Sequence, residues 1–112
     1  MKFKSRESKG VTIIELTGNV MGGPDATSLN EQIHKLIGEN KKKVVVDLEE
    51  VKFINSSGLG MLIGGLTTLR NSGGEMKLAH ASKKIEDLLK MTKLNSVFDI
   101  HGSVNEAVAA LK

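Results

Sequence analysis

The chain has 112 residues, of which 39% are hydrophobic and 26% charged, with no cysteine and a formal net charge of +3. The missing cysteines exclude disulfides, thiolate nucleophiles and cysteine-bound zinc, and the mildly basic cluster Lys41-Lys42-Lys43 has no aromatic partners that would indicate nucleic-acid binding. No apolar run approaches membrane-spanning length, so we expect a cytoplasmic protein without a membrane segment, built as one domain over residues 1–112.

The first half of the chain predicts a hairpin followed by a helix. Strands are expected over residues 3–6 and 11–16, and the short link between them favours a hairpin. Residues 18–23 form a glycine-rich loop, and Pro24 suits the first turn of a helix, where its missing N–H would have no partner. The apolar stripe of that helix comprises Ala26, Leu29, Ile33, Leu36 and Ile37.

The second half alternates strands with helices. The apolar run over residues 44–48 predicts a central strand covered on both faces. The elements after it are a helix from residue 59 to a glycine cap at Gly73-Gly74, a strand over 76–78, a helix capped by Ser82, a strand over 97–100 and a helix opened by Ser103 and Glu106. The pattern predicts an α/β domain with a mixed, mostly parallel sheet of four to five strands and about four helices, mainly on one face.

The segment Asn55-Ser56-Ser57-Gly58-Leu59-Gly60 lies between an extended stretch and a helix. One of its serines is therefore expected at the N-cap, where a side-chain oxygen accepts a backbone N–H. The positive end of the helix dipole and the free N–H groups there would also receive a phosphate. Plain capping without regulation is the alternative, and the segment lacks the lysine of a Walker phosphate-binding loop.

Other chemistry has little support in the sequence. His34, His80 and His101 are scattered without metal-ligand spacing, so we expect loop or surface histidines and neither a metal nor a cofactor. A serine hydrolase would need a base and an acid, for which His80 and Asp47 are available, but no nucleophile-elbow motif supports catalysis. Asp47 is expected to end the central strand, and two roles are open for it: capping or a loop hydrogen bond, or helping to position the serine segment.

Three glycines and two methionines near the serines raise further expectations. Gly60, Gly64 and Gly65 leave the helix that follows the serines without side chains at three positions. This favours close packing of the helix on the sheet or, as the alternative, the close approach of a partner. Met21 is expected to be exposed near the serines, whereas Met61 suits the core.

The run VVVDL at residues 44–48, followed by VKFINSSGLGML at 51–62, resembles the STAS domain family, and in particular bacterial anti-sigma factor antagonists. Members of that group have an apolar strand ending in Asp-Leu, a short link, and then Asp-Ser-Ser-Gly-Leu-Gly or Asp-Ser-Ala-Gly-Leu-Gly. The similarity continues through GEMKL at 74–78 and LKMTKLNSVF at 89–98. This chain departs from the pattern in having Asn55 for aspartate and in lacking an acidic residue directly after Gly18, with Asp25 further on.

The resemblance implies a regulator of transcription in a partner-switching pathway, and not an enzyme. A GHKL-type anti-sigma factor kinase would phosphorylate Ser57, with Ser56 as the alternative acceptor, and a serine phosphatase would reverse the modification. The unmodified protein would bind the kinase and free the sigma factor. The expected partner-binding residues are Asn55, Ser56, Ser57, Gly58, Leu59, Gly60, Met61, Met21, Gly22 and Asp25.

Two other hypotheses remain open. The first is a constitutive STAS scaffold or interaction domain that phosphorylation does not regulate. The second is a binder of nucleotides or small ligands that uses the loop over residues 18–23. The protein is expected to be a monomer or a weak dimer.

Overall fold

Five β-strands and four α-helices make up residues 1–111, the part of the chain that this computed structural model describes. The strands are β1 (Lys2–Ser8), β2 (Val11–Val20), β3 (Lys43–Ile54), β4 (Glu75–Ala79) and β5 (Ile100–His101). The helices are α1 (Pro24–Gly38), α2 (Ser56–Asn71), α3 (Lys83–Met91) and α4 (Val104–Ala110).

The strands form one sheet whose spatial order follows the chain order, β1-β2-β3-β4-β5. β1 and β2 are antiparallel and are joined at Lys9 and Gly10, both of which have positive φ, as the tight turns of hairpins require. The other three pairings are parallel, each with a helix in its crossover. The predicted mixed, mostly parallel sheet is therefore confirmed.

Helices cover both faces of the sheet unequally. α1, α2 and α3 pack on one face, over a core that includes Ile14, Val46 and Leu78. α4 packs alone on the other face, against a smaller cluster that includes Ile13 and Val45. Successive valines of β3 thus enter different cores, which explains the unbroken apolar run and confirms the prediction that the helices lie mainly on one face. Within residues 1–111, no helix has both the length and the apolar character to cross a membrane.

β2 and β3 continue well past their predicted ends, whereas β1 and β4 are longer by only one or two residues at each end. β2 continues to Val20, so only residues 21–23 separate it from α1, and the glycine-rich loop proposed for nucleotide binding is not formed as expected. β3 continues to Ile54, so Asp47 lies inside the strand and does not end it. The two extensions pair with each other as far as Val20 and Ile54. The hydrogen bonds of this pairing outweigh the low strand propensity of Gly18.

The last strand is shorter than predicted, because only Ile100 and His101 pair with β4. Val97 and Phe98 instead form a turn in which both amides donate to the carbonyl of Leu94, and the Phe98 ring fills the larger core. The caps predicted at Ser82 and Ser103 agree with the structure. Ser82 accepts from the amide of Ile85, and Ser103 accepts from the amide of Glu106.

Candidate functional site

The N-terminus of α2 is the point where the predicted functional segment meets the sheet. Asn55 is extended and caps the helix, because its Oδ1 accepts the amide of Gly58 at 2.8 Å. The prediction that a serine caps this helix is wrong, since asparagine caps as well as serine and precedes the first helical residue here. Because Asn55 caps the helix, neither serine is needed for capping.

Ser56 and Ser57 are the first two residues of α2, and both are exposed. Among residues 1–111, the backbone amides of Gly58 and Leu59 donate to Asn55, while those of Ser56 and Ser57 have no acceptor. The first turn carries no acidic side chain. The positive end of the helix dipole is therefore uncompensated beside two accessible hydroxyls, an environment that favours an anion.

The end of β2 holds the start of α2 in place. Val20 accepts the amide of Asn55 at 3.3 Å through its carbonyl oxygen, and the same oxygen lies directly against Gly58, where a side chain would collide with it. Gly22 has a φ of +84°, and a Cβ atom on it would lie 2.8 Å from the Cβ of Ser57. Glycine at 22 and 58 thus allows the two segments to touch.

The predicted partner-binding residues divide by exposure. Met21, Ser56, Ser57 and Gly60 are exposed, and Asn55 and Asp25 are half-buried. The other four, Gly22, Gly58, Leu59 and Met61, are buried. The side chains of Leu59 and Met61 belong to the larger core, which is the position expected for Met61.

The glycines within α2 have different surroundings. A Cβ atom on Gly65 would lie 2.6 Å from Cδ1 of Ile33, so close packing between α1 and α2 accounts for this glycine. Gly60 and Gly64 are exposed, and a Cβ atom on either would meet nothing within 4 Å. Packing inside residues 1–111 therefore does not explain the latter two glycines.

An exposed apolar patch next to this site was not predicted from the sequence. The side chains of Phe53 and Met91 are 48% and 81% exposed and line a groove between β3 and α3. β3 has one extra residue here, since Gly18 pairs with Val51 and Asn19 with Phe53. This bulge directs Ile54 into the core in place of Phe53.

The histidines do not contribute to the serine site. His80 Nδ1 lies 2.9 Å from Oδ1 of Asp47, and the same oxygen accepts the amide of Glu49. Both contacts of Asp47 are thus within β3 and the end of β4, so its predicted role in positioning the serine segment is wrong. His34 is exposed on α1, as expected of a surface histidine.

Comparisons with known proteins identify the family of the chain. A family model described as the STAS domain matches residues 2–107. An anti-sigma F factor antagonist from Paenibacillus polymyxa is 24% identical over 113 aligned residues, which cover 100% of this chain and 96% of that protein.

Solved structures show the same fold. An anti-sigma factor antagonist from Mycobacterium paratuberculosis superposes with a TM-score of 0.82 at 20% identity, covering 98% of this chain and 92% of the other. The phosphorylated form of the Bacillus cell fate determinant SpoIIAA superposes with a TM-score of 0.74 at 18% identity, covering 99% and 100%.

Proposed function

Because the chain belongs to the STAS domain family, we propose that it is an anti-sigma factor antagonist whose partner binding is switched by phosphorylation of Ser57. The single observation that carries the proposal is the pair of exposed serine hydroxyls at an α2 N-terminus that Asn55 already caps. The anti-sigma F factor antagonist to which the chain is similar over its whole length supports the same class of regulator.

Ser57 is favoured over Ser56 because its position is fixed by a second segment. Its Cβ packs against the backbone of Gly22, whereas its hydroxyl has no structural hydrogen bond among residues 1–111. A partner kinase would thus meet a serine whose Cβ has a defined position. Positioning of the reacting groups is a large part of the catalysis of phosphoryl transfer.

The proposed modification is an in-line transfer from ATP held by the kinase. The Ser57 oxygen forms a bond to the γ-phosphorus, the bond to ADP breaks, and the hydroxyl proton passes to a base on the kinase. The product carries about two negative charges at neutral pH. The free amides of Ser56 and Ser57 and the helix dipole would stabilise this group without any change in the fold.

The switch acts at the contact surface. Met21, Ser57, Gly60 and Gly64 are all exposed, and we propose that a GHKL-type anti-sigma factor kinase docks over them. A phosphoryl group at Ser57 would add bulk and charge to that interface, and a partner fitted to the neutral surface would dissociate. A serine phosphatase would restore binding and thereby release of the sigma factor. We further propose that the protein is a cytoplasmic regulator, a monomer or weak dimer, and not an enzyme.

Labelling by a cognate GHKL kinase tests the acceptor. The chain is incubated with the kinase and ATP, and the phosphorylated site is located by mass spectrometry in the parent, Ser57→Ala and Ser56→Ala proteins. We expect the parent and Ser56→Ala to be labelled and Ser57→Ala to remain unlabelled. Equal labelling of Ser57→Ala and the parent, with loss in Ser56→Ala, would contradict the assignment.

A constitutive interaction domain is the second candidate, and Asn55 favours it. The neutral asparagine at the cap departs from the aspartate that the family pattern has at this position. Intact-mass measurement of the protein from its native cell distinguishes the two functions. An added phosphate supports the switch, whereas an unmodified mass under every growth condition supports constitutive binding.

A further inference from the structure

A cluster of three potential metal ligands lies outside the serine site, at the end of β4. Asp47, Glu49 and His80 each offer one ligand atom, and these atoms lie within 4.8 Å of one another. His80 Nδ1 is 2.9 Å from Asp47 Oδ1 and 3.6 Å from Glu49 Oε2. We propose that these three side chains form a binding site for a divalent transition-metal ion of the zinc type.

The backbone brings the three side chains to one surface of the sheet. Asp47 pairs with Ala79, whose side chain enters the α4 core, so a regular continuation of β4 would direct His80 to the opposite face. His80 instead has a φ of +56°, which interrupts this alternation next to Asp47. A bulge in β3 lies at the same level, because Glu15 pairs with Asp47 while Thr17 pairs with Glu50. Bulges redirect side chains, and Glu49 lies within this one.

The charges of the cluster also favour a cation. The Asp47 side chain is 10% exposed. Among residues 1–111, the carboxylates of Asp47 and Glu49 both have His80 as their salt-bridge partner. With a neutral imidazole, the three groups carry two negative charges, one of them largely removed from water. A divalent ion would neutralise both.

The ligand set and spacing suit zinc better than magnesium. Zinc takes imidazole nitrogen and carboxylate oxygen at about 2.0–2.2 Å, which places tetrahedral ligands about 3.4 Å apart. The Asp47–His80 pair needs to open only slightly to reach that separation, and the Glu49 side chain, 62% exposed, is free to adjust. Magnesium prefers oxygen ligands alone, and a histidine at the centre of the set disfavours it.

Titration of the full chain with zinc chloride, followed by calorimetry, tests the site. We expect one zinc ion per chain and weaker binding as the pH falls, because the imidazole must be deprotonated to coordinate. His80→Asn is the principal variant, since asparagine tolerates positive φ and should keep the turn folded. It should weaken binding at least about tenfold, the size of effect that even outer-shell partners of a metal commonly have.

Two further variants sharpen the result. Glu49→Gln changes an exposed side chain and should also weaken zinc binding, while His34→Ala removes an exposed histidine on α1 and should leave it unchanged. A flat zinc titration of the parent chain would overturn the proposal. So would unchanged affinity in His80→Asn, or magnesium binding as strong as zinc binding, because either would show that the imidazole is not a ligand.

Discussion

The backbone of Gly22 lies against the side chain of Ser57, so closely that a methyl group on the glycine would come within 2.8 Å of the serine Cβ. This contact joins the end of β2 to the start of α2 and fixes the residue that we propose as the phosphorylation site.

Replacing Gly22 by alanine should therefore destabilise the protein in two ways. An L-residue at positive φ costs about 1–2 kcal/mol, and the collision with Ser57 should add about 1–3 kcal/mol of overpacking. Urea denaturation measures the total. Gly10→Ala is the matched control, because Gly10 has a φ of +81° and no atom within 4 Å of an added Cβ. Equal losses in the two variants would show that the Ser57 contact has no energetic weight.

Asn55→Ala should lower the free energy of unfolding by about 1 kcal/mol, because it removes the oxygen that accepts the Gly58 amide. Asn55→Asp keeps that acceptor and adds a negative charge at the positive end of α2, so it should retain or slightly raise stability. Thermal or urea denaturation of the two variants checks both signs. An alanine variant as stable as the parent would contradict the capping role.

Alanine substitutions within α2 should separate glycines required for packing from those free for a partner. Gly60→Ala and Gly64→Ala should each stabilise the protein by up to about 1 kcal/mol, because alanine is the better helix former and the added methyl meets nothing. Gly65→Ala should destabilise it through collision with Ile33.

The same variants bear on the contact surface. If a partner docks closely over Gly60 and Gly64, the stabilised variants should bind the anti-sigma factor more weakly than the parent, as measured by calorimetry. Unchanged affinity in both would remove these glycines from the proposed interface.

The ion pair between Lys77 and Asp99 should make stability depend on pH in acid. Hydrogen bonding from Lys77, followed by its positive charge, lowers the pKa of the Asp99 carboxyl below its ordinary value of 3.8. A carboxyl with a lowered folded-state pKa contributes stability that is fully present above the unfolded-state value and disappears as the pH falls through the folded-state value. Asp99→Asn should thus be less stable than the parent near neutral pH, and the difference should shrink below about pH 4.

Urea denaturation across this pH range measures the effect. Asp87→Asn serves as a control, since Asp87 is an exposed carboxylate on α3. A difference between Asp99→Asn and the parent that stays constant down to the lowest pH would show that the ion pair with Lys77 is not its source.

Most of the fold was predictable because it depends on patterns that local sequence carries. The apolar run over residues 44–48, the hairpin and the caps at Ser82 and Ser103 are each encoded within a few residues, and each lies where predicted. The lengths of β2 and β3 were not predictable in this way. They depend on pairing between the two strands far apart in sequence, including a bulge that changes which side chain enters the core.

The start of α2 was predictable in position but not in detail. The segment from Asn55 to Gly60 does open a helix, but several residues there are good caps, and only the backbone decides that Asn55 takes this role. The contact between Asp47 and His80 joins residues 33 positions apart and requires a histidine at positive φ, a conformation that no local pattern indicates. The alternation of inward and outward side chains along β3 was the available signal for the orientation of Phe53. The bulge interrupts this alternation, so the pattern does not predict that Phe53 is exposed.

β1 is an edge strand of the sheet, and its composition affects whether copies of the protein associate through this edge. An edge strand offers unpaired backbone groups on which another chain can stack into fibrils. Lys2 and Lys4 alternate along β1 and are exposed, so a second copy approaching this edge would meet like charges. Repulsion between these lysines opposes edge-to-edge pairing of two copies.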